Sequence, residues 1–224
     1  MTIENRKWIL KERPVGLVKD SDFDLVTEVL PKINEGEVLI ENLYLSFDPT
    51  QRSWLNDVPG YLPPVEIGEV IRSGGIGRVI DSKNPEYKNG DLAFGLIGWQ
   101  THCLTKPNAE DRFRVIPDLL PIPTMLNVMG STGITAYYGL IELGNPMPGE
   151  TVLVSGAAGA TGSVVVQIAK LKGCHVIGIA GGKEKCDWLK DIGADEVIDY
   201  KNTNVDEELS RLAKGGIDIY FDNV

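Results

Sequence analysis

From Thr151 to Val224, short apolar runs alternate with longer stretches whose apolar residues recur at helical spacing. The runs have the length of buried strands, and the first two helical stretches end at a glycine. This βαβαβαβ order predicts a parallel, doubly wound sheet with right-handed crossovers, because parallel strands need a crossover connection. The predicted strands are 151–155, 175–180, 196–200 and 217–224, with helices at 162–172, 183–192 and 205–214.

The first half of the chain has a different pattern, which is typical of β structure. Alternation begins within Gly36–Asp48, and Gly90–Lys106 continues it with glycines that suit tight bends. The segment Gly68–Lys83 predicts two short strands around a flexible turn at Gly74-Gly75. We therefore expect a small, partly open β-barrel in this half.

The change of pattern divides the chain into two domains, residues 1–120 and 121–224. The second begins with a predicted helix, Met129–Gly144, and then contains the first four strands of a sheet that generally has six. An apolar fourth strand at the edge of a sheet is a feature that proteins normally avoid. The sequence therefore indicates a piece of a longer protein, although it does not say where the natural chain ends.

Composition excludes several classes of partner. The formal net charge is −10, and an acidic surface repels a phosphate backbone, so we expect no nucleic acid partner. No run of 18 apolar residues and no apolar leader is present, so we expect no membrane segment. Three scattered cysteines argue against a disulfide framework and favour the cytoplasm.

Residues for metal or hydrolytic chemistry are sparse. The histidines and cysteines do not have the spacing of a zinc site, which needs three or four ligands, so we expect no metal. They are His102, Cys103, Cys174, His175 and Cys186. The chain also lacks a Gly-x-Ser-x-Gly nucleophile elbow and a Tyr-x-x-x-Lys pair. Hydrolases and short-chain dehydrogenases are therefore excluded.

Glycines 156, 159 and 162 lie between the first predicted strand of the second domain and its helix. A tight turn there aims the N–H groups and dipole of the helix at an anion. Small residues at 159 and 160 let a pyrophosphate approach the backbone, and Gly162 lets the helix pack closely on its strand. The spacing differs from Gly-x-Gly-x-x-Gly, so glycines that serve packing alone remain an alternative, but the βαβ context favours a dinucleotide.

The end of the next strand indicates which dinucleotide binds. NAD enzymes usually carry an acidic residue there, which accepts a hydrogen bond from the ribose 2′-OH. This strand instead runs into Ala180-Gly181-Gly182, with Lys183 and Lys185 in the following helical turn. Each lysine alone is more often an ordinary solvated side chain. The missing carboxylate together with the cations predicts NADP.

Six segments carry a resemblance to a known family: 46–52, 90–102, 135–144, 154–174, 198–201 and 221–224. In these the chain resembles the zinc-independent medium-chain dehydrogenase/reductases. The most similar subgroup is the NADPH-dependent alkenal and prostaglandin reductases, which include the bacterial curcumin reductases. The resemblance implies a GroES-like β-barrel domain followed by a Rossmann domain with a doubly wound parallel sheet.

The resemblance also assigns residues to the cofactor, namely Gly159, Ala160, Thr161, Gly162, Lys185, Tyr200 and Asn223. In the family the first four positions hold the pyrophosphate and the lysine grips the 2′-phosphate. The tyrosine lines the adenosine site, and the asparagine lies near the cofactor at the carboxyl edge of the sheet. For Tyr200, an aromatic ring that only packs on the strand end is a close alternative.

The activity implied by the resemblance is reduction by NADPH of the carbon–carbon double bond of an α,β-unsaturated aldehyde or ketone. Family members are often homodimers. Where the family often has a tyrosine that faces the substrate, this chain has Thr50, so the substrate is not indicated. No catalytic residue is assigned, because the resemblance places the expected proton donor in a later part of the family's sequence, after the residues to which this chain corresponds. Two alternatives stay open: a quinone reductase of the same superfamily, and a non-catalytic nucleotide-binding or interaction module.

Overall fold

The computed structural model of the protein describes residues 2–58, 60, 62–108, 112–119 and 121–224. The chain forms two compact units, residues 1–123 and 124–224. Leu120, the last residue of the first predicted domain, lies outside the described residues. In the part that is described, no helix has both the length and the apolar character needed to cross a membrane.

The first unit is built from two antiparallel sheets. Strands β1 (Glu4–Leu10) and β2 (Phe23–Val29) form a hairpin. The second sheet has the strand order β6-β3-β4-β5-β7, and a short helix, α1 (Thr50–Trp54), follows β3. Its strands are β3 (Val38–Leu45), β4 (Gly75–Ser82), β5 (Leu92–Gly95), β6 (His102–Thr105) and β7 (Arg114–Ile116).

The predicted turn at Gly74-Gly75 is wrong. Strand β4 begins at Gly75, and the strand expected before it is reduced, among the described residues, to an isolated bridge between Val70 and Ile9. A Cβ atom on Gly75 would lie 2.6 Å from the Tyr44 carbonyl oxygen, and one on Gly77 only 2.3 Å from Ile40 Cγ2. These glycines therefore let neighbouring strands and side chains approach closely; they do not form a turn.

The second unit begins with helix α2 (Ser131–Tyr137), which continues as a π-helical turn, Tyr138–Gly144. Four parallel strands follow, in the order β10-β9-β8-β11. The elements are β8 (Thr151–Val154), α3 (Ala160–Leu171), β9 (His175–Ala180), α4 (Lys183–Asp191), β10 (Glu196–Asp199), α5 (Val205–Leu212) and β11 (Ile219–Phe221). The predicted fold class, a β domain followed by a doubly wound parallel sheet, is confirmed.

Helices cover both faces of the parallel sheet because its central strands are apolar on both sides. Val152, Val154 and Val176 pack in one cluster with residues of α2, α3 and α4. Leu153 and Ile177, the intervening residues, pack in another with residues of α5. The alternation of strand side chains thus produces three layers, helix–sheet–helix.

We expect Leu189→Ala to lower the free energy of unfolding by about 2–5 kcal/mol, because it opens a cavity under α4. Leu189 is fully buried, whereas Leu171 on α3 is 87% exposed. Leu171→Ala is the matched control and should change the free energy by less than about 0.5 kcal/mol. Urea unfolding of both variants measures the difference, and equal losses would contradict this placement of the core.

Candidate functional site

The turn between β8 and α3 brings the helix unusually close to the backbone of the turn. Gly156 has a φ of +52°, a conformation that favours glycine, and its carbonyl oxygen accepts the Gly159 N–H at 2.8 Å. A Cβ atom on Gly162 would lie 2.5 Å from that same oxygen and 2.8 Å from Ala157 Cα. Any side chain at 162 would therefore push the first turn of α3 away from the strand.

The N-terminus of α3 is open. Helix geometry leaves the N–H groups of Ala160, Thr161 and Gly162 without partners inside the helix, and no side chain in the described part of the chain caps this terminus. Helix α5 differs, because Asn204 caps it by accepting the N–H groups of Asp206 and Glu207. The first turn of α5 also carries three acidic residues, whereas that of α3 carries none. The α3 terminus therefore keeps its positive potential for an anion.

Asn223 is held against this turn through Ser155. The Asn223 N–H donates to Ser155 Oγ at 2.8 Å, and its side-chain amide donates to the Ser155 carbonyl oxygen at 2.9 Å. Ser155 Oγ in turn donates to Asp222 at 2.5 Å. That bond, followed by the Val224 N–H, lowers the pKa of Asp222. The ends of β8 and β11 are thereby joined.

The turn between β9 and α4 holds the other predicted residues. Lys185 is exposed and, among the described residues, has no ion pair, whereas Lys183 pairs with Asp187 one helical turn away. The Tyr200 ring lies against Gly181, where an added Cβ atom would come within 2.7 Å of the ring. The residue as a whole is 55% exposed, which leaves part of its surface accessible to a ligand.

The predicted cofactor residues all lie at the carboxyl edge of the parallel sheet. Residues 159–162 and Asn223 are at the ends of β8 and β11, while Lys185 and Tyr200 are at the ends of β9 and β10. Sequence reasoning missed Ser155, Asp222 and Asp199, which organise this edge. A polar residue at or near the end of three predicted strands, 151–155, 196–200 and 217–224, was the available signal.

An apolar pocket of about 470 Å³ lies in the first unit. Phe47 stacks on Trp99 in its wall, with ring centroids 5.8 Å apart. Buried Gln51 fixes the adjoining segment by donating to the Ser46 carbonyl oxygen at 2.8 Å and to Ser73 Oγ at 3.0 Å. The pocket offers space for an apolar group and few polar contacts.

A doubly wound parallel sheet with an open, glycine-lined helix terminus at its carboxyl edge defines a Rossmann-type domain. Two family models match the chain: "N-terminal domain of oxidoreductase" over residues 6–113 and "Zinc-binding dehydrogenase" over residues 160–224. The chain belongs to the medium-chain dehydrogenase/reductase family. The recognition made from the sequence is thus confirmed.

Named relatives are similar along the whole chain. The NADPH-dependent curcumin reductase of Escherichia coli is 39% identical over 98% of the chain and 64% of its own length. The NADP(+)-dependent 2-alkenal reductase of Nicotiana tabacum is 38% identical over 99% of the chain and 66% of its own length. The chain therefore spans about two thirds of the length of these relatives.

Solved structures separate into two levels of similarity. CurA of Vibrio vulnificus in complex with NADPH has a TM-score of 0.89 and 40% identity, over 98% of this chain and 65% of that one. The E. coli quinone oxidoreductase in complex with NADPH has a TM-score of 0.69 and 22% identity, over 94% of this chain and 63% of that one. The latter likeness shows the fold alone.

The description "Zinc-binding dehydrogenase" raises the question of a metal. In the described ranges, no group of three or more His, Cys, Asp and Glu side chains is placed to hold a metal ion. Cys103 and Cys174 are buried. These residues do not fit a zinc ion, so no step proposed below passes through one.

Ser155→Ala tests the contact that joins β8 to β11. The pKa of Asp222 is lowered in the folded chain. The contact therefore stabilises the folded chain at pH values above the unfolded carboxyl pKa of about 3.9. The stabilisation is lost as the pH falls through the folded value. We therefore expect the difference in melting temperature between wild type and Ser155→Ala to be constant from pH 7 to 5 and to shrink below about pH 4.

Ser163→Ala is the matched control for this measurement. Ser163 is also buried, but its hydroxyl donates to the Ala160 carbonyl oxygen, which does not titrate. The effect of this variant on the melting temperature should not change in the same range of pH. A Ser155→Ala difference that stays constant down to pH 3 would show that the Asp222 carboxylate is not the stabilising partner.

Proposed function

We propose that the chain is part of an oxidoreductase that uses NADPH to reduce the carbon–carbon double bond of α,β-unsaturated aldehydes or ketones. One observation carries the proposal. Lys185, which has no ion pair among the described residues, follows a strand end that lacks a carboxylate, beside an open helix N-terminus lined by glycines. A cation close to an anion-binding turn suits the two phosphate regions of NADPH, which are the pyrophosphate and the 2′-phosphate.

The residues of the carboxyl edge fit the parts of this cofactor. The N–H groups at the start of α3 would donate to the pyrophosphate, and Gly159 and Gly162 keep side chains out of its way. Lys185 would pair with the 2′-phosphate, and the exposed side of the Tyr200 ring would pack on the adenosine. Asn223, which Ser155 orients, would lie near the cofactor.

When bound, NADPH supplies the hydride that is added to the β-carbon of the substrate. The protein's own contribution is to position the reactants and to exclude water. The pocket of the first unit, walled by Phe47 and Trp99 among others, suits an apolar substituent of the substrate. No residue is assigned as the proton donor.

The names of the relatives favour this substrate class over the alternatives. The proteins named curcumin reductase and 2-alkenal reductase are 39% and 38% identical to the chain. Three solved structures named as quinone reductases or quinone oxidoreductases are 18–22% identical to the chain, so a quinone reductase is not favoured. A homodimer and a cytoplasmic location remain predictions.

Lys185→Ala should weaken NADPH binding by roughly ten- to a hundredfold, because it removes a charge-assisted hydrogen bond to the phosphate. NADH lacks this phosphate, so its dissociation constant should not change. Fluorescence titration of the chain with each dinucleotide measures both constants. Lys183→Ala is the matched control, because the Lys183 ammonium is already paired with Asp187.

Two results would contradict the cofactor assignment. One is a wild-type chain that binds NADH as tightly as NADPH, and the other is an equal loss of NADPH affinity in both lysine variants. The reaction itself is tested with the natural gene product, by the fall in NADPH absorbance on adding a 2-alkenal or a quinone. Oxidation with the alkenal is expected. No oxidation with either would favour the non-catalytic module.

A further inference from the structure

The turn between β9 and α4 is held by a carboxylate from the neighbouring strand. Asp199, the last residue of β10, accepts the Gly182 N–H at 2.8 Å and the Lys201 N–H at 3.1 Å on one oxygen. Its other oxygen accepts the Asn202 side-chain amide at 2.7 Å. Both carboxylate oxygens of Asp199 thus accept hydrogen bonds.

The Gly182 contact lies at the start of α4. Gly182 is the N-cap residue of α4 and has a φ of +97°. Because glycine has no side chain, this residue cannot itself cap the helix. The bond from its N–H to Asp199 therefore ties the start of α4 to the end of β10. Lys185 is in the first turn of α4, three residues after Gly182.

The hydrogen-bonded carboxylate of Asp199 also has a different role from the acidic residue of NAD enzymes. That residue, at the end of the second strand, accepts a hydrogen bond from the ribose 2′-OH. Asp199 stands one strand further along, and the donors around it satisfy its charge. The hydrogen bonds to Asp199 lower its pKa, and the one from the Gly182 N–H contributes most. Asp199 is therefore ionised at neutral pH.

We infer that Asp199 is a positioning residue for phosphate selection: by fixing Gly182 it places Lys185 where a 2′-phosphate binds. The inference rests on the proposed use of NADPH. Asp199 itself does not touch the phosphate. Its effect should therefore pass through Lys185 and disappear when that lysine is absent.

Two substitutions separate position from charge. Asp199→Glu keeps the charge but moves the carboxylate by one methylene, so we expect the preference for NADPH over NADH to fall about tenfold. Asp199→Asn removes the charge but keeps an oxygen for the Gly182 N–H, so the preference should be kept. Titrations with NADPH, NADH and 2′,5′-ADP measure it, the last without the nicotinamide half.

A double-mutant cycle tests the route through Lys185. Asp199→Glu should cost no further NADPH affinity once Lys185→Ala is present. Asn204→Ala is the structural control, since it removes the cap that two N–H groups use at the start of α5. It should lower the melting temperature without changing the ratio of the two dissociation constants.

The outcomes distinguish this inference from the proposed function. A wild-type chain with no preference for NADPH would overturn both. A wild-type preference that survives in Asp199→Glu, or that rises in Asp199→Asn through relief of charge repulsion, would overturn the inference alone. If Asp199→Glu does not fold, a lost preference in a folded Asp199→Asn chain would also overturn it.

Discussion

The close approach of α3 to the end of β8 is the constraint on which the second unit depends. With only hydrogen at position 162, the helix starts almost in contact with the Gly156 carbonyl oxygen. Its open N–H groups are therefore brought to the carboxyl edge of the sheet, not to bulk solvent beside it. Ser155, one residue earlier, ties the same edge to β11.

In an acidic protein, a phosphate site requires that the negative charges near it be offset. The net charge is −10, and two carboxylates, Asp199 and Asp222, lie at the very edge that the cofactor would occupy. Both accept backbone N–H groups and side-chain donors, which lower their pKa values and partly offset their charge. Among the described residues Lys185 has no ion pair, and both it and the open helix terminus attract an anion.

Much of the second unit was readable from its residues. Each apolar run and each helical stretch predicted an element that the structure contains, because period and glycine stops are local properties. In the first half of the chain, the prediction of a turn at Gly74-Gly75 was wrong. A glycine that permits a turn and one that permits close packing of a neighbouring strand look alike until the neighbour is known.

The sequence by itself determined the order of elements, the glycine turn and the absence of a carboxylate after the second strand of the sheet. Only the tertiary structure decided which polar residues hold the turns at the carboxyl edge, because Asp199 is 17 residues from Gly182 and Asp222 is 67 residues from Ser155. It also decided that Lys183 pairs with Asp187, whereas Lys185 has no ion pair within the described ranges. Hydrogen bonds across parallel strands depend on strand order and register, and these arise only when the distant segments pack together.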